Sequence, residues 1–460
     1  MNIAFEISPL LAASGIAGSK SGIYRSLYNK IFFLSKFIKR NNLPTKIYLF
    51  TFNPDLLKKN NNNIDYLLKN DNIFFLNQLN DLNIDINLDL DDPFYKLYFS
   101  YYDSYKNPLI HLFYFFKKKI FLWKKNQENK KKYLKYLEYL KNELKKNNVK
   151  IIHHSETGFY YLKGFKNVLT IHDLTPIFYP HFHQKETIDL FKRKLYFALN
   201  FCDGIICDSN NTKVDLEKII KHFNLKKRIE IKTIYNPVEY KKNFKPEYSI
   251  EKINDILKIN LKKNNFFLYY GTFEPRKNLI NLVKAFNLLL EKKFKKFKLL
   301  LVGGKGWGGI WEDVENFIKE NFLNKKESPI IQYHFLNDKI LDSLIYYSKA
   351  VIYPSFYEGF GFQIPETLRF KKPIILSDNS SLKEITNQNN FLNKYVFYIK
   401  KPFNDEEIKK AIEFFLDNKK NTKNYEKEEK IIEKYLQNFS PEKISKELFD
   451  FYSHLINSNK

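Results

Sequence analysis

Short apolar runs alternate with longer amphipathic segments twice along this chain, in two blocks separated by a lysine-rich stretch. The first block opens at residues 3–7, and the second opens at Phe266–Tyr270. Such alternation is typical of parallel strands that helices cover on both faces. The sequence therefore predicts an α/β protein with two doubly wound, Rossmann-like lobes and a cleft between them.

The boundaries of these lobes follow from where the alternation stops. The first lobe is predicted over residues 1–236, and a connecting segment over 237–264. The second lobe is expected over 265–435, and a C-terminal helix over 436–460 is expected to pack back toward the first lobe. Residues 55–148 are rich in Asn, Lys, Asp and Tyr and interrupt the first block, so they are interpreted as a divergent, partly helical insertion.

The segment after the first strand predicts a glycine loop. Residues 8–21 are mostly small and include Gly15 and Gly18, and a basic amphipathic helix is expected over 24–40. This opening is typical of units that bind nucleotides or phosphates. The loop lacks the Gly-Lys-Ser/Thr of an ATPase P-loop, so a plain glycine turn that forms one wall of the cleft is the favoured interpretation.

The charge balance favours anionic partners. The chain has 77 Lys and Arg residues against 51 Asp and Glu residues, a net charge of +26. Nucleic acid, an anionic membrane face and phosphorylated substrates all fit such a charge. Because no zinc-binding spacing, RNP-like run or helix-turn-helix signature is present, nucleic acid is not expected as a partner, and a basic nucleic-acid-binding protein is the weaker alternative.

The expected location is the cytoplasm. Cys202 and Cys207 are too few for a disulfide framework, and neither a signal peptide nor a run of about 18 apolar residues is found. The run Leu109–Trp123 mixes aromatic residues with three consecutive lysines. It fits a helix on an anionic membrane surface, which would make the protein peripheral, and equally a helix half buried in its domain.

Two glutamates follow a predicted strand in the second block. After the apolar run 350–353, a loop with Gly359 and Gly361 carries Glu358, and Glu366 begins the next helix. In open α/β sheets, ligands bind at the carboxyl ends of the strands. The two carboxylates could bind vicinal hydroxyls of a sugar or a ribose, although an ordinary turn with two solvated glutamates has the same pattern.

Two cations follow another strand of the same block. The exit loop that starts at Gly271 contains Arg276 and Lys277 immediately before a predicted helix. Cations beside free helix N–H groups are suited to binding a diphosphate. In the first lobe, His172 directly follows the predicted strand 168–171 and could reach a substrate hydroxyl, although a lone histidine is more often structural. Together, these loops predict a site for a nucleotide-sugar.

At these motifs the chain resembles the retaining glycosyltransferases of family 4, which have the GT-B fold. The resemblance rests first on Glu274–Asn278 (EPRKN) and on the spacing between Glu358 and Glu366, and it covers residues 1–54 and about 149–400. Within this family, the motifs of the second lobe resemble those of bacterial mannosyltransferases of surface-polysaccharide assembly. Further matches occur in the family's order at Ser21–Arg25, Ile171–Leu174, Asp208-Ser209, Tyr235–Val238, Val302–Trp307 and Ser381–Glu384.

The resemblance implies a role for each matched position. Arg276 and Lys277 would neutralise the leaving diphosphate, Glu366 would hold the ribose, and His172 would bond a sugar hydroxyl beside the reacting carbon. Glu358 would contact the transferred sugar. The implied catalytic residues are His172, Arg276, Lys277 and Glu358, and the implied donor-binding residues are Gly22, Gly271, Arg276, Lys277, Glu358, Gly359, Phe360, Gly361 and Glu366.

The implied reaction is transfer of a hexose, with mannose favoured, from a nucleotide-diphosphate sugar to a glycan or lipid-linked glycan. GDP-mannose or a UDP-hexose would be the donor, and the pathway would build a surface polysaccharide such as lipopolysaccharide. No cofactor or metal is expected, because the cations would replace it; Asp89-Leu90-Asp91 is interpreted as a polar loop and not as a metal–diphosphate site. A GT-B enzyme of other chemistry, such as a phosphorylase or an epimerase, remains the alternative.

Overall fold

The chain folds into two lobes, each built on one parallel β-sheet, which confirms the predicted α/β architecture. The computed structural model describes residues 1–13, 22–58, 62–76, 131–223, 229–240, 244–290, 294–322, 328–386, 392, 394–417 and 425–458.

The first sheet has seven strands among the described residues, and its order reverses between the first and fourth of them. The strands are β1 Asn2–Glu6, β2 Ile47–Phe50, β3 Ile73–Phe75, β4 Val149–His154, β5 Lys166–Ile171, β6 Gly204–Cys207 and β7 Glu230–Thr233. They lie in the order β3-β2-β1-β4-β5-β6-β7. The helices of this lobe are α1 Ser8–Ala12, α2 Gly22–Arg40, α3 Asn62–Leu68, α4 over 131–146, α5 Thr175–Phe178, α6 Lys185–Phe201 and α7 Asn210–His222.

The second sheet, with six strands in the part of the chain described, reverses in the same way. The strands are β8 Phe266–Tyr270, β9 Lys298–Val302, β10 Ile330–Tyr333, β11 Ala350–Tyr353, β12 Ile374–Ser377 and β13 Val396–Ile399, and they lie in the order β10-β9-β8-β11-β12-β13. The remaining helices are α8 Ile250–Leu257, α9 Leu279–Leu290, α10 Ile310–Phe322, α11 Asp338–Tyr347, α12 Gln363–Leu368, α13 Ser380–Thr386, α14 Asp405–Asp417, α15 Tyr425–Leu436 and α16 Pro441–Asn457.

The reversal in the second sheet decides where its functional loops meet. β8 and β11 are neighbours, although about 80 residues separate them along the chain, and both are fully buried apolar strands. Ligands of doubly wound sheets bind outside the carboxyl ends of the strands at such a reversal. The loops that follow β8 and β11 therefore open onto the same crevice.

The last helix, α16, returns to the first lobe and packs against α2. Its Tyr452 hydroxyl lies 2.5 Å from Nδ1 of His153, at the end of β4. Gly204 at the start of β6 allows this approach, because a Cβ atom there would lie 2.7 Å from Leu455. The C-terminal segment thus belongs to the packing of the first lobe.

Several local predictions need correction. The predicted loop over 8–21 is wrong at its start: Ser8–Ala12 forms α1, with Pro9 in its first turn and with Leu10 and Leu11 buried in the core. The short strands β3 and β13 and the helix α13 had no predicted counterpart. The Leu109–Trp123 run and the Asp89–Asp91 motif lie outside the described residues. In the described ranges, no helix has the length and apolar character needed to cross a bilayer.

Candidate active site

A cleft of about 1090 Å³ lies between the two lobes and is lined by residues of both. All but one of the predicted site residues line this cleft. They are Gly22, His172, Gly271, Arg276, Lys277, Glu358, Gly359, Phe360 and Gly361. The exception, Glu366, lines an adjoining cavity of about 280 Å³. The sequence predicted that both carboxylates share a cavity with Arg276 and Lys277. Glu358 does so, whereas Glu366 lines the adjoining cavity.

Arg276 and Lys277 meet Glu358 at the reversal of the second sheet. The two cations lie in a short 3₁₀ turn, Pro275–Lys277, directly after β8. Arg276 Nη1 lies 2.7 Å from Glu358 Oε2, and Lys277 Nζ lies 2.6 Å from Glu358 Oε1. One carboxylate therefore holds both cations in place at the wall of the cleft.

Glu274 completes this charge cluster, which we call the second-lobe cluster. Its Oε1 lies 2.8 Å from Arg276 Nη2 and 3.8 Å from Lys277 Nζ, and all four side chains are largely buried. Burial raises the pKa of Glu358, but the charges of Arg276 and Lys277 outweigh burial and lower that pKa to about 2. Burial raises the pKa of Glu274 above its ordinary value. Glu358 is therefore ionised at neutral pH.

The glycines beside Glu358 let the second lobe contact the first. A Cβ atom at Gly359 would lie 2.1 Å from the carbonyl oxygen of His172, so no side chain fits there. Gly361 has φ of +88°, a conformation that side chains other than glycine rarely adopt. This loop thereby brings the Glu358 segment against the end of β5.

His172 is held by two residues that the sequence did not reveal as functional. Its Nδ1 lies 2.6 Å from Asp208 Oδ2, and the other oxygen of Asp208 lies 2.7 Å from Lys30 Nζ. Burial raises the pKa of Asp208, but the charges of Lys30 and His172 outweigh it and the pKa lies well below its usual range. The ionised carboxylate accepts the Nδ1 proton, so Nε2 is the ring nitrogen that can face a ligand.

The sequence partly indicated that Asp208 belongs to the site, whereas it gave no such indication for Lys30. Asp208 directly follows β6, which pairs with the His172 strand, so the two carboxyl ends adjoin. In the sequence, Asp208-Ser209 matches the family's pattern and is typical of a helix N-cap, and the Ser209 side chain does accept a hydrogen bond from the N–H of Thr212. Lys30 lies on the buried face of α2, and its position in the sequence does not indicate which residue it pairs with.

Glu366 forms an ion pair with Arg25 of the first lobe. Its other oxygen accepts a hydrogen bond of 3.3 Å from the Tyr270 hydroxyl. The Arg25 guanidinium also lies 5.2 Å from the centre of the Phe362 ring. Because Arg25 lines both cavities, it stands between Glu366 and the main cleft.

The residues described contain no group of three or more His, Cys, Asp and Glu side chains that could hold a metal ion. On the second-lobe wall, Arg276 and Lys277 are cations that line the cleft beside the carboxylates of Glu274 and Glu358.

Two protein-family models match the chain. A model described as "Glycosyl transferases group 1" matches residues 250–434, and one described as "Glycosyltransferase Family 4" matches residues 111–242. Together they cover more than half of the chain and divide it close to the boundary between the two sheets.

Curated relatives match about half of the chain at modest identity. O-antigen chain mannosyltransferase B of Escherichia coli is 27% identical over 220 residues, which are 47% of this chain and 54% of that protein. O-antigen chain mannosyltransferase RfbU of Salmonella typhimurium is 26% identical over 223 residues, 47% of this chain and 53% of that protein. The chain thus spans about half the length of the curated relatives it matches.

Solved structures resemble the whole chain. A sucrose-phosphate synthase from Thermosynechococcus elongatus matches with a TM-score of 0.63 at 17% identity, covering 100% of both chains. An Escherichia coli structure titled as trehalose-6-phosphate bound with UDP-2-fluoro glucose matches with a TM-score of 0.57 at 13% identity, covering 98% of this chain and 99% of that one. At such identities the likeness concerns the fold alone.

Proposed function

The chain belongs to the family 4 glycosyltransferases of the GT-B fold, and on that premise we propose that it transfers a hexose, with retention of configuration, from a nucleotide-diphosphate sugar to a glycan. The observation that carries the proposal is the meeting of Arg276, Lys277 and Glu358 with His172 across one cleft. Cations for a diphosphate and hydrogen-bonding groups for a sugar then face the same space.

The proposed mechanism assigns the charge of the leaving group to the second-lobe cluster. Glycosyl transfer passes through an oxocarbenium-like state while negative charge builds on the departing phosphate. Arg276 and Lys277 are already fixed by Glu358, so they stabilise that charge without having to reorganise. Each oxygen of Glu358 keeps a lone pair for a sugar hydroxyl, and His172 Nε2 supplies a further contact near the reacting carbon.

We further propose mannose as the sugar and GDP-mannose as the donor, with a UDP-hexose as the second choice. The support is that both curated relatives are named O-antigen chain mannosyltransferases. The acceptor would then be a glycan or a lipid-linked glycan of surface-polysaccharide synthesis. No divalent metal is proposed, because the two cations take the place that a metal would have beside the diphosphate.

The test is a turnover assay on the full chain with GDP-mannose, UDP-glucose and UDP-galactose, each in EDTA. We expect GDP-mannose to be turned over without added metal and an α-linked donor to give an α-linked product by NMR. Products that require inorganic phosphate as acceptor, or an isomerised sugar nucleotide, would support a phosphorylase or an epimerase instead. Inversion of configuration would contradict the retaining mechanism.

Attachment to the cytoplasmic face of a membrane is a separate proposal, based on the net charge and on the lysines of the Leu109–Trp123 run. We expect the protein to co-sediment with vesicles that contain phosphatidylglycerol, and neutralisation of Lys117–Lys119 to reduce the bound fraction. The matched control neutralises three exposed lysines of α4, Lys135, Lys145 and Lys146. Equal binding by both variants would mean that the aromatic, lysine-containing run does not mediate attachment.

A further inference from the structure

We propose that Glu156 is an acceptor-binding residue, and that the first-lobe part of the cleft around it takes a neutral sugar whose hydroxyl donates to this carboxylate. The inference rests on the proposed function and adds to it the chemical class of the acceptor. It assigns a residue that neither the sequence motifs nor the family resemblance includes.

The position of Glu156 places it beside the reacting centre. It lies just after β4, which pairs with β5, the strand that His172 directly follows, and it lines the cleft. Its Oε2 forms an ion pair with Lys194 and lies 3.9 Å from His172 Nε2. Within the described parts of the chain, its Oε1 has no hydrogen-bond partner, although the side chain is only 18% exposed. A carboxylate oxygen that faces a cleft in this way is available to a ligand.

The buried side chain of Lys194 holds the Glu156 carboxylate in place. This side chain is completely buried, on α6, with the ammonium 4.7 Å from the centre of the Phe191 ring. A buried charge without a partner is strongly destabilising, so the ammonium holds Glu156 in one orientation. A surface glutamate would lose conformational entropy on binding a ligand, whereas Glu156 has already lost it on folding.

The surroundings of Glu156 favour hydroxyl groups over phosphate groups. Gln184, Thr187, Leu190 and Phe191, which lie on or just before the helix that carries Lys194, also line the cleft and form a mixture of polar and apolar groups that suits a sugar ring. None of these residues is cationic, and the ammonium of Lys194 is already paired with Glu156. A phosphate placed beside Glu156 would therefore meet a negative charge that none of these four side chains offsets; the nearest ring nitrogen, His172 Nε2, lies 3.9 Å from the carboxylate.

The experiment compares two acceptors, methyl α-D-mannopyranoside and mannose 6-phosphate, with GDP-mannose as donor. We expect wild-type protein to use the neutral glycoside in preference to the phosphate. In E156Q, we expect the KM for the glycoside to rise about tenfold, since a hydrogen bond to a charged group contributes roughly 1.5 kcal/mol or more. The Kd for GDP-mannose should stay within about twofold, because the donor cations lie on the opposite wall.

Two further variants separate binding from folding. E186Q changes an exposed glutamate of the same helix as Lys194 and should leave both constants unchanged. E156Q/K194M removes the buried ammonium together with the carboxylate, so it should recover the thermal stability that E156Q loses, but not the KM for the glycoside.

Each other outcome overturns the inference. If the double variant recovered the KM together with the stability, Glu156 would be purely structural. If E156Q lowered kcat at an unchanged KM for the glycoside, or if mannose 6-phosphate were the better acceptor, Glu156 would not bind a neutral acceptor. Failure of wild-type protein to turn over any sugar nucleotide would instead overturn the proposed function itself, which the comparison of donors alone detects.

Discussion

The two walls of the cleft arrange charge in opposite ways. On the second-lobe wall, Arg276 and Lys277 line the cleft and share the carboxylate of Glu358. On the first-lobe wall, the lysines lie behind the surface: the side chains of Lys30 and Lys194 are 2% and 0% exposed. The second lobe therefore offers cations to a ligand, whereas the first-lobe lysines hold other groups and Arg25, which also lines the cleft, is paired with Glu366.

Because of this difference, we expect the two walls to bind different parts of the substrates of the proposed reaction. The groups that the buried lysines hold are Asp208, which orients His172, and Glu156. Carboxylate and imidazole groups are suited to hydrogen bonds with hydroxyls, while free cations would be needed for a phosphate. The donor diphosphate thus fits the second lobe, and sugar hydroxyls fit the first.

Removal of a cleft cation should have the largest effect on turnover. In K277M, Arg276 remains, but the charge that develops on the leaving phosphate loses one fixed donor, and we expect kcat to fall on the order of 10²–10³-fold. The measurement is initial-rate kinetics with saturating donor. K284M, which changes an exposed lysine of α9 in the same lobe, is the control. A loss of less than about fivefold would mean that Lys277 does not stabilise the transition state.

Removal of a first-lobe carboxylate should instead lower stability first. D208N leaves the buried ammonium of Lys30 without its anion, which we expect to reduce the free energy of unfolding by about 3–5 kcal/mol. D71N, which breaks an exposed ion pair with Lys39, should change it little. Measurement by urea unfolding should also show that K30M/D208N regains stability. If that double variant regained full activity as well, the support that Asp208 gives to His172 would be irrelevant to the reaction.

The pH dependence of stability tests the second-lobe cluster directly. The pKa of Glu358 is about 2 in the folded protein and 4.5 is its ordinary value. A carboxyl with a lowered folded pKa stabilises the protein fully above the unfolded pKa, and this contribution is lost as pH falls toward the folded pKa. We therefore expect the free energy of unfolding to decline between about pH 4.5 and pH 2. The decline should be shallower in E358Q; an identical slope would show that Glu358 is not held by the two cations.

The sequence predicted the second-lobe wall better than the first for a physical reason. Arg276, Lys277 and Glu358 lie in loops directly after apolar strands, and the order of a doubly wound sheet brings such loops together. Lys30 and Asp208 are 178 residues apart, and they meet because α2 shares a core cluster with Ile206 of β6. Periodicity shows that α2 is amphipathic, but not which distant residue its buried lysine will contact.

For Glu366 too, the sequence predicted the position of the side chain but not its partner. Its place at the start of a helix after β11 was evident from Pro365 and from the glycines before it. Its partner, Arg25, is 341 residues away on the other lobe, so the contact depends on how the lobes meet. The sequence pattern could therefore place this carboxylate at the sheet edge, but it could not show that a guanidinium separates it from the cleft.

The smallest expected effect concerns a contact that crosses between the two walls away from the substrates. Glu384, on α13 of the second lobe, accepts the N–H groups of Asn210 and Asn211 at 2.8 and 2.7 Å and the Tyr235 hydroxyl at 2.9 Å. Its carboxylate thereby caps the N-terminus of α7, where a negative charge is stabilised by the helix dipole.

Glutamine at position 384 keeps one acceptor oxygen but loses the charge. We expect E384Q to weaken this contact by about 1 kcal/mol, so the amides at the start of α7 should exchange with deuterium roughly fivefold faster. E320Q, an exposed glutamate of α10, is the control. Faster exchange confined to residues 210–213 would show that the lobes are held by local contacts while the walls of the cleft keep their structure. Unchanged exchange there would mean that packing, and not this carboxylate, determines how the first lobe meets the second.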